Sequence, residues 1–246
     1  MKPLVKERIF IYISAGYATA PNFLHVFESE LARRFEGAGW SPEVVVQFPY
    51  GDWTRKGRLQ LHEIGSDIWF ATRPRRSRYG GKRLFNVISQ ERLPEDRLLL
   101  IGHSGGAVAS VQAAEQLQQA GSQIIGVVQI GSPRCTVPVS LQEKVLYLRG
   151  VNPLGRSIDP VPLIGSWGGW ERSRFGGLRW NSLKFAPVYR ETLSIVGGHA
   201  DYFRDHDPYV LNGTSNLQLT MSAIWSWLKN RDLIGNKLDE KEDEHD

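Results

Sequence analysis

The chain has a single cysteine, Cys135, in 246 residues. It cannot close an internal disulfide, so the fold does not rest on an oxidising compartment. Long uninterrupted apolar runs are also missing, and a membrane-spanning helix needs about 20 such residues. No internal repeat and no domain boundary interrupts the pattern. No nucleic-acid-binding motif accompanies the positive charge, so no nucleic-acid partner is expected.

What remains has the composition of an ordinary globular protein, with 41% hydrophobic and 23% charged residues. That length supports one sizeable domain with a well-buried core, placed at residues 1–235. The net charge of +4 conceals an asymmetry. The end of the chain, KLDEKEDEHD, carries two lysines against six acids, which leaves +8 on the rest. Residues 236–246 therefore read as an acidic, solubilising tail. The basic excess gathers in TRPRRSRYGGKR, residues 72–83. A basic segment at 73–83 fits a transient contact with an anionic membrane surface.

The first twenty residues, MKPLVKERIFIYISAGYATA, have the outline of a secretory signal. Glu7 interrupts the basic part, and Ser14 and Gly16 interrupt the apolar part. The stretch is read instead as a first buried strand, and the expected location is cytoplasmic.

Six runs rich in β-branched and aliphatic residues read as strands: 8–13, 43–48, 97–102, 124–130, 144–149 and 191–196. Helical patterns separate them. One covers 21–36, where Phe23, Phe27, Leu31 and Phe35 recur every fourth residue behind Pro21. Another, alanine-rich, covers 105–120. A third carries Leu217, Met221, Ile224, Trp225 and Leu228 on one face. Strands alternating with helices predict an α/β fold, a mostly parallel sheet covered on both faces in three layers.

Chemistry concentrates at RLLLIGHSGGAVAS, residues 97–110. A strand runs into Gly102-His103-Ser104-Gly105-Gly106 and a helix follows, the context of a nucleophile elbow. Ser104 on such a turn needs neighbours without side chains, which Gly102 and Gly106 supply. The Gly105 N–H falls at a helix N-terminus, where partial positive charge can meet an oxyanion. A serine hydroxyl becomes nucleophilic only when a base takes its proton and an acid orients that base. Asp159, followed by Pro160-Val161-Pro162, lies beyond the fifth strand, and His199, in GGHADYF, lies beyond the sixth. His206 is the rival base and Asp52 the rival acid. His103, inside the elbow, points away from the serine and reads as structural. It is carried with Trp167, Trp170 and Tyr202 as a candidate substrate contact. The loop ISAGYATAPN after the first strand offers the second oxyanion donor, the Tyr17 N–H, with Gly16 beside it.

These residues resemble the α/β-hydrolase fold superfamily and, within it, the lipase class 3 family of esterases and lipases. That family has a Gly-His-Ser-Leu-Gly-Gly elbow, against GHSGGA here, without the leucine. Its Phe-Gly-x-Pro-Arg and Asp-x-Val-Pro motifs are matched by IGSPR at 130–134 and DPVP at 159–162. The resemblance covers roughly residues 97–165. It implies a compact sheet of spatial order 2-1-3-4-5-6 with Ser104 after the third strand.

The expected activity is hydrolysis of a small carboxylic ester or lipid through an acyl-enzyme, with no metal and no cofactor. The same machinery serves a thioesterase or an acyltransferase, and a non-catalytic binding module on the same scaffold is the alternative. Two insertions, 52–92 and 163–189, can cover the site. The second holds SWGGWERSRFGGLRW, read either as a mobile aromatic rim or as a subsidiary core with its arginines in water.

Overall fold

The computed structural model describes residues 7–17, 19–20, 22–69, 79–174 and 176–234. Arg73, Arg75, Arg76 and Arg78 of the basic segment, Phe175 and the acidic tail lie outside the described residues. Strand β1 (Arg8–Ser14) leads to α1 (His25–Gly37) and β2 (Ser41–Gln47). Two helices follow, α2 (Gly57–Trp69) and α3 (Tyr79–Glu91). Next come β3 (Arg97–His103), α4 (Gly105–Gln119), β4 (Gln123–Ile130) and β5 (Val145–Val151). A hairpin of β6 (Gly169–Arg172) and β7 (Leu178–Asn181) precedes β8 (Tyr189–Ser194). A small pair, β9 (Val210–Leu211) and β10 (Thr214–Ser215), opens into α5 (Asn216–Asn230).

Six strands form one sheet in the order β2-β1-β3-β4-β5-β8, and every neighbouring pair is parallel. This is the expected spatial order, with the β6–β7 hairpin inserted before the sixth strand. Both faces of the inner strands are apolar because both are covered. On one side Ile9, Ile11, Ile13, Leu99 and Ile101 meet Phe27, Leu31 and Phe35 of α1 and Met221, Ile224 and Leu228 of α5. On the other, Phe10, Leu98 and Leu100 meet Leu84 and Ile88 of α3 and Val108, Val111 and Leu117 of α4. The protein is thus a three-layer α/β/α sandwich. Among the described residues, no helix is long and apolar enough to cross a membrane.

Local departures from the sequence reading have physical reasons. Helix α1 begins at His25, later than the sequence pattern suggests, and Leu24 at its N-cap supplies no side-chain oxygen to the first free N–H groups. Within the segment 52–92, α2 and α3 are regular helices. Its two helices pack on α4, and Arg55 and Arg83 both close on the buried Glu63. Those two guanidinium groups hold the Glu63 carboxyl down at about 2.

Candidate active site

Ser104 joins β3 to α4 at φ 58°, ψ −132°, a backbone conformation that costs a non-glycine residue about 1–3 kcal/mol. The turn persists because the surrounding chain has no room for another. A Cβ on Gly102 would stand 2.2 Å from Ala107 Cα, and one on Gly106 would stand 2.2 Å from the Ser14 carbonyl oxygen. The Ser104 N–H donates to the Ile130 carbonyl at 3.0 Å, tying the elbow to the end of β4. Gly105 begins α4, so its N–H is one of those a helix leaves without an internal acceptor.

The loop after β1 presses on this turn. A Cβ on Gly16 would lie 2.7 Å from Gly105 N and 2.8 Å from Ser104 Cβ. Glycine at 16 therefore lets the β1–α1 backbone approach the elbow, and Tyr17 follows it into the same cavity. A Cβ on Gly105 would meet Ile64 Cδ1 at 2.8 Å. The space that a leucine would occupy in the class 3 elbow is filled here from α2.

Asp159 sits past β5 with its carboxylate fully buried. Its Oδ1 accepts the Val161 N–H at 2.9 Å. Its Oδ2 accepts from His199 Nδ1 and from the Tyr202 hydroxyl, both at 2.9 Å. With the proton on Nδ1, the His199 Nε2 carries a free lone pair. The His199 loop is built to hold that ring. Gly197 turns at φ 96°, the Gly198 N–H donates to Asp201 Oδ2 at 2.8 Å, and the Asn216 amide donates to the Val196 and Asp201 carbonyls. The Tyr202 hydroxyl also accepts the Gly150 N–H at 2.6 Å, linking β5 to the carboxylate. Burial and the adjacent carboxylate push the Tyr202 phenol well above its ordinary pKa.

His103 stacks on His199, and its Nε2 lies 2.9 Å from the His199 carbonyl oxygen. A carbonyl only accepts, so His103 carries its proton on Nε2. Burial, with His199 next to it, lowers its pKa to about 3 and keeps the ring neutral.

Ser104, His103, His199, Gly105 and Tyr17 all line one cavity of about 500 Å³. Its walls are mainly apolar: Phe23, Leu61, Ile64, Ile68, Val161 and Ile164, with Arg204 at one side. Among the described residues, no hydrogen bond joins Ser104 Oγ to His199, although both face this space. No group of three or more His, Cys, Asp or Glu residues suited to a metal ion occurs among the described residues.

The structure redistributes the other candidates. Trp167 does not line this cavity; it is buried against Tyr147 and Ala186 in a subsidiary core. Trp170 does not line it either; it packs edge-on against Trp180 on the exposed β6–β7 hairpin. Tyr202 is wholly buried and touches Asp159, so it cannot meet a substrate in the cavity. His206 is exposed beside Asp205, and Asp52 accepts from Thr54; neither enters the cavity. Among the described residues of 163–189 only Ile164 reaches the wall, whereas α2, in the other insertion, supplies three residues. Those three were missed, although Leu61, Ile64 and Ile68 at i, i+3 and i+7 form an apolar helical stripe.

No protein-family model matches the sequence, and no curated protein is similar to it in sequence. Several solved structures are similar in shape. The type II thioesterase YbtT from the yersiniabactin biosynthetic pathway superposes with a TM-score of 0.49 at 13% identity, over 93% of this chain and 94% of that one. The thioesterase RedJ from the prodiginine pathway of Streptomyces coelicolor gives 0.46 at 12% identity, over 94% and 95%. A carboxyl esterase from Bacillus coagulans gives 0.27 at 18% identity, over 53% of this chain and 38% of that one. The parallel sheet order and the strained Ser104 turn between the third strand and its helix make this an α/β-hydrolase fold.

Proposed function

We propose that the protein is a serine hydrolase that cleaves carboxylic esters or thioesters of apolar acyl groups. The observation that carries this reading is the strained Ser104 elbow opening on the same apolar cavity as His199, whose Nδ1 is bonded to the buried Asp159. In this mechanism Ser104 Oγ attacks the acyl carbon while His199 Nε2 takes the hydroxyl proton. The same proton then goes to the departing alkoxide or thiolate, and water, deprotonated in turn by His199, releases the acid. Asp159 holds the ring and offsets its charge. The Gly105 and Tyr17 N–H groups face the developing oxyanion, with Gly16 permitting the approach. A cavity of about 500 Å³ with aliphatic walls suits a short to medium acyl chain. The GHSGGA, IGSPR and DPVP motifs are the part of the chain that resembles the class 3 esterases and lipases.

The competing reading is a binding module that keeps the scaffold without the chemistry. In its favour stands the lack of a hydrogen bond between Ser104 Oγ and His199 among the described residues, a contact that is often loose before substrate binds. Labelling with a fluorophosphonate, wild type beside Ser104→Ala, separates the two. Modification mapped to Ser104 and lost in the variant supports the hydrolase, and p-nitrophenyl esters of rising chain length then define the acyl group. Folded wild-type protein that takes up no label and turns over no ester overturns it.

A further inference from the structure

A second cavity, of about 320 Å³, lies on the other side of the Pro133–Arg134 segment from Ser104. Pleating and register place Tyr147 and Arg149 of β5 beside Arg190 and Thr192 of β8 on one face of the sheet edge, and all four line it. Arg134 comes in from the end of β4, pinned by its N–H to the Ile164 carbonyl at 2.8 Å.

Among the described residues, many arginines elsewhere have carboxylates, although Arg58, Arg156, Arg172 and Arg231 do not. Arg55 and Arg83 share Glu63, Arg34 and Arg33 share Glu30, Arg92 meets Glu43 and Arg179 meets Glu171. Arg134, Arg149 and Arg190, which share this cavity, have none either: among the described residues, no carboxylate lies within ion-pair distance of any of them. The Arg134 guanidinium sits 5.2 Å from the centre of the Trp167 ring and that of Arg190 sits 5.9 Å from it. The indole thus holds two guanidinium groups near one place without neutralising them. Arg134 Nε is buried with no hydrogen-bond acceptor, whereas buried donors are almost always partnered. Three guanidinium groups face a single lining acid, Glu191, leaving an excess of two positive charges.

We propose that this cavity binds a phosphate monoester. The charge excess matches a phosphate dianion, and guanidinium forks match its oxygens in paired hydrogen bonds. The volume exceeds that of a phosphate group alone, so an organic arm fits beside Trp167. The proposal is independent of the hydrolase reading, since it concerns binding on the far side of the wall that Pro133 contributes to the Ser104 cavity.

Isothermal titration at fixed ionic strength tests it, with inorganic phosphate, phenyl phosphate and sodium chloride as probes. The variants are Arg149→Gln and Arg190→Gln, with Arg33→Gln as a control on the exposed face of α1. Saturable binding of phenyl phosphate is expected, at least about tenfold weaker in either cavity variant and unchanged in the control. Arg190 is exposed, so its variant is expected to fold, which a thermal melt checks. Phenyl phosphate binding more tightly than inorganic phosphate supports a phosphate carried on a larger molecule. Inorganic phosphate binding equally well or better overturns the monoester assignment in favour of free phosphate. No saturable binding of either, a chloride response of equal size, or binding unaffected by both substitutions overturns the site.

Discussion

His103 and His199 lie face to face, with ring centres 4.7 Å apart and planes 26° from parallel, while His103 Nε2–H donates to the His199 carbonyl oxygen at 2.9 Å. One histidine of the elbow therefore steers the loop that carries the other. Protonation would keep this donor but put a charge in a buried place beside His199, so burial holds His103 neutral.

That neutrality has a measurable signature in stability. In the unfolded chain His103 takes a proton near pH 6.5, and in the fold only near pH 3. Above 6.5 both states are neutral and nothing is lost. Below it the unfolded state gains a proton that the native state refuses, so stability falls as pH drops through this window. Between pH 7 and 5 the loss from this residue is about 2 kcal/mol. Urea unfolding at the two pH values should show it in the wild type and not in His103→Phe. Keeping above pH 5 avoids the fall expected from Glu63, whose carboxyl is held down to about 2. The same variant should lower kcat for ester hydrolysis about tenfold with little change in KM, because it frees the His199 backbone while leaving the cavity walls apolar.

The strain at Ser104 predicts an unusual gain. Relief of its positive φ is worth about 1–3 kcal/mol, and glycine gives back about 0.4–1 kcal/mol through the unfolded chain. Ser104→Gly should therefore be about 1 kcal/mol more stable than the wild type while inactive. Ser104→Ala, which keeps a Cβ and hence the strain, should be inactive without that gain. Chemical denaturation of the three proteins reads the difference, and equal stability of the glycine and alanine variants would count against a strained turn.

Much of this architecture was legible in the sequence because it is local. The strand-to-helix run around Ser104 needs only a hydrophobic stretch, four small residues and a helix, all contiguous. The order of Asp159 and His199 after successive strands follows from the same reading. What escaped depends on distant packing. Nothing near Tyr202 in the sequence shows that its hydroxyl spans Gly150 and Asp159, 43 residues away from the latter. The tryptophans of 166–180 have the composition of a rim, yet a glycine-rich hairpin and the free face of β5 decide their places. Ile64 fills the gap beside Gly105 because α2 folds back over α4, which no local pattern specifies.

Tyr202 joins structure to the site most directly. Tyr202→Phe removes the acceptor of the buried Gly150 N–H and the donor to Asp159 Oδ2, leaving both groups short of a partner. The fold should lose about 1–3 kcal/mol, measured by urea unfolding. Hydrolysis should slow about tenfold in kcat, since Asp159 then depends on His199 and Val161 alone for its orientation. A variant as stable and as active as the wild type would mean that the two hydrogen bonds contribute nothing.

The two glycines that flank the proposed oxyanion position should respond differently to the same methyl group. At Gly16 the added Cβ meets Gly105 N at 2.7 Å, Ser104 Cβ at 2.8 Å and the His103 carbonyl at 3.1 Å. None of these can move without displacing the elbow, so the β1–α1 loop must retreat and take the Tyr17 N–H with it. The loss of one oxyanion donor lowers kcat by about 10²–10³, and Gly16→Ala should fall in that range. At Gly105 the three atoms nearest the Cβ all belong to the Ile64 side chain, Cδ1 at 2.8 Å, Cγ1 at 3.0 Å and Cγ2 at 3.1 Å, and a side chain can shift where backbone cannot. Gly105→Ala should therefore keep activity within about tenfold of the wild type on a short acyl ester, and lose more on a longer one as Ile64 crowds the cavity. Steady-state kinetics on acetyl and octanoyl esters measure both effects. Equal losses at the two positions would contradict the placement of the β1–α1 loop against the elbow.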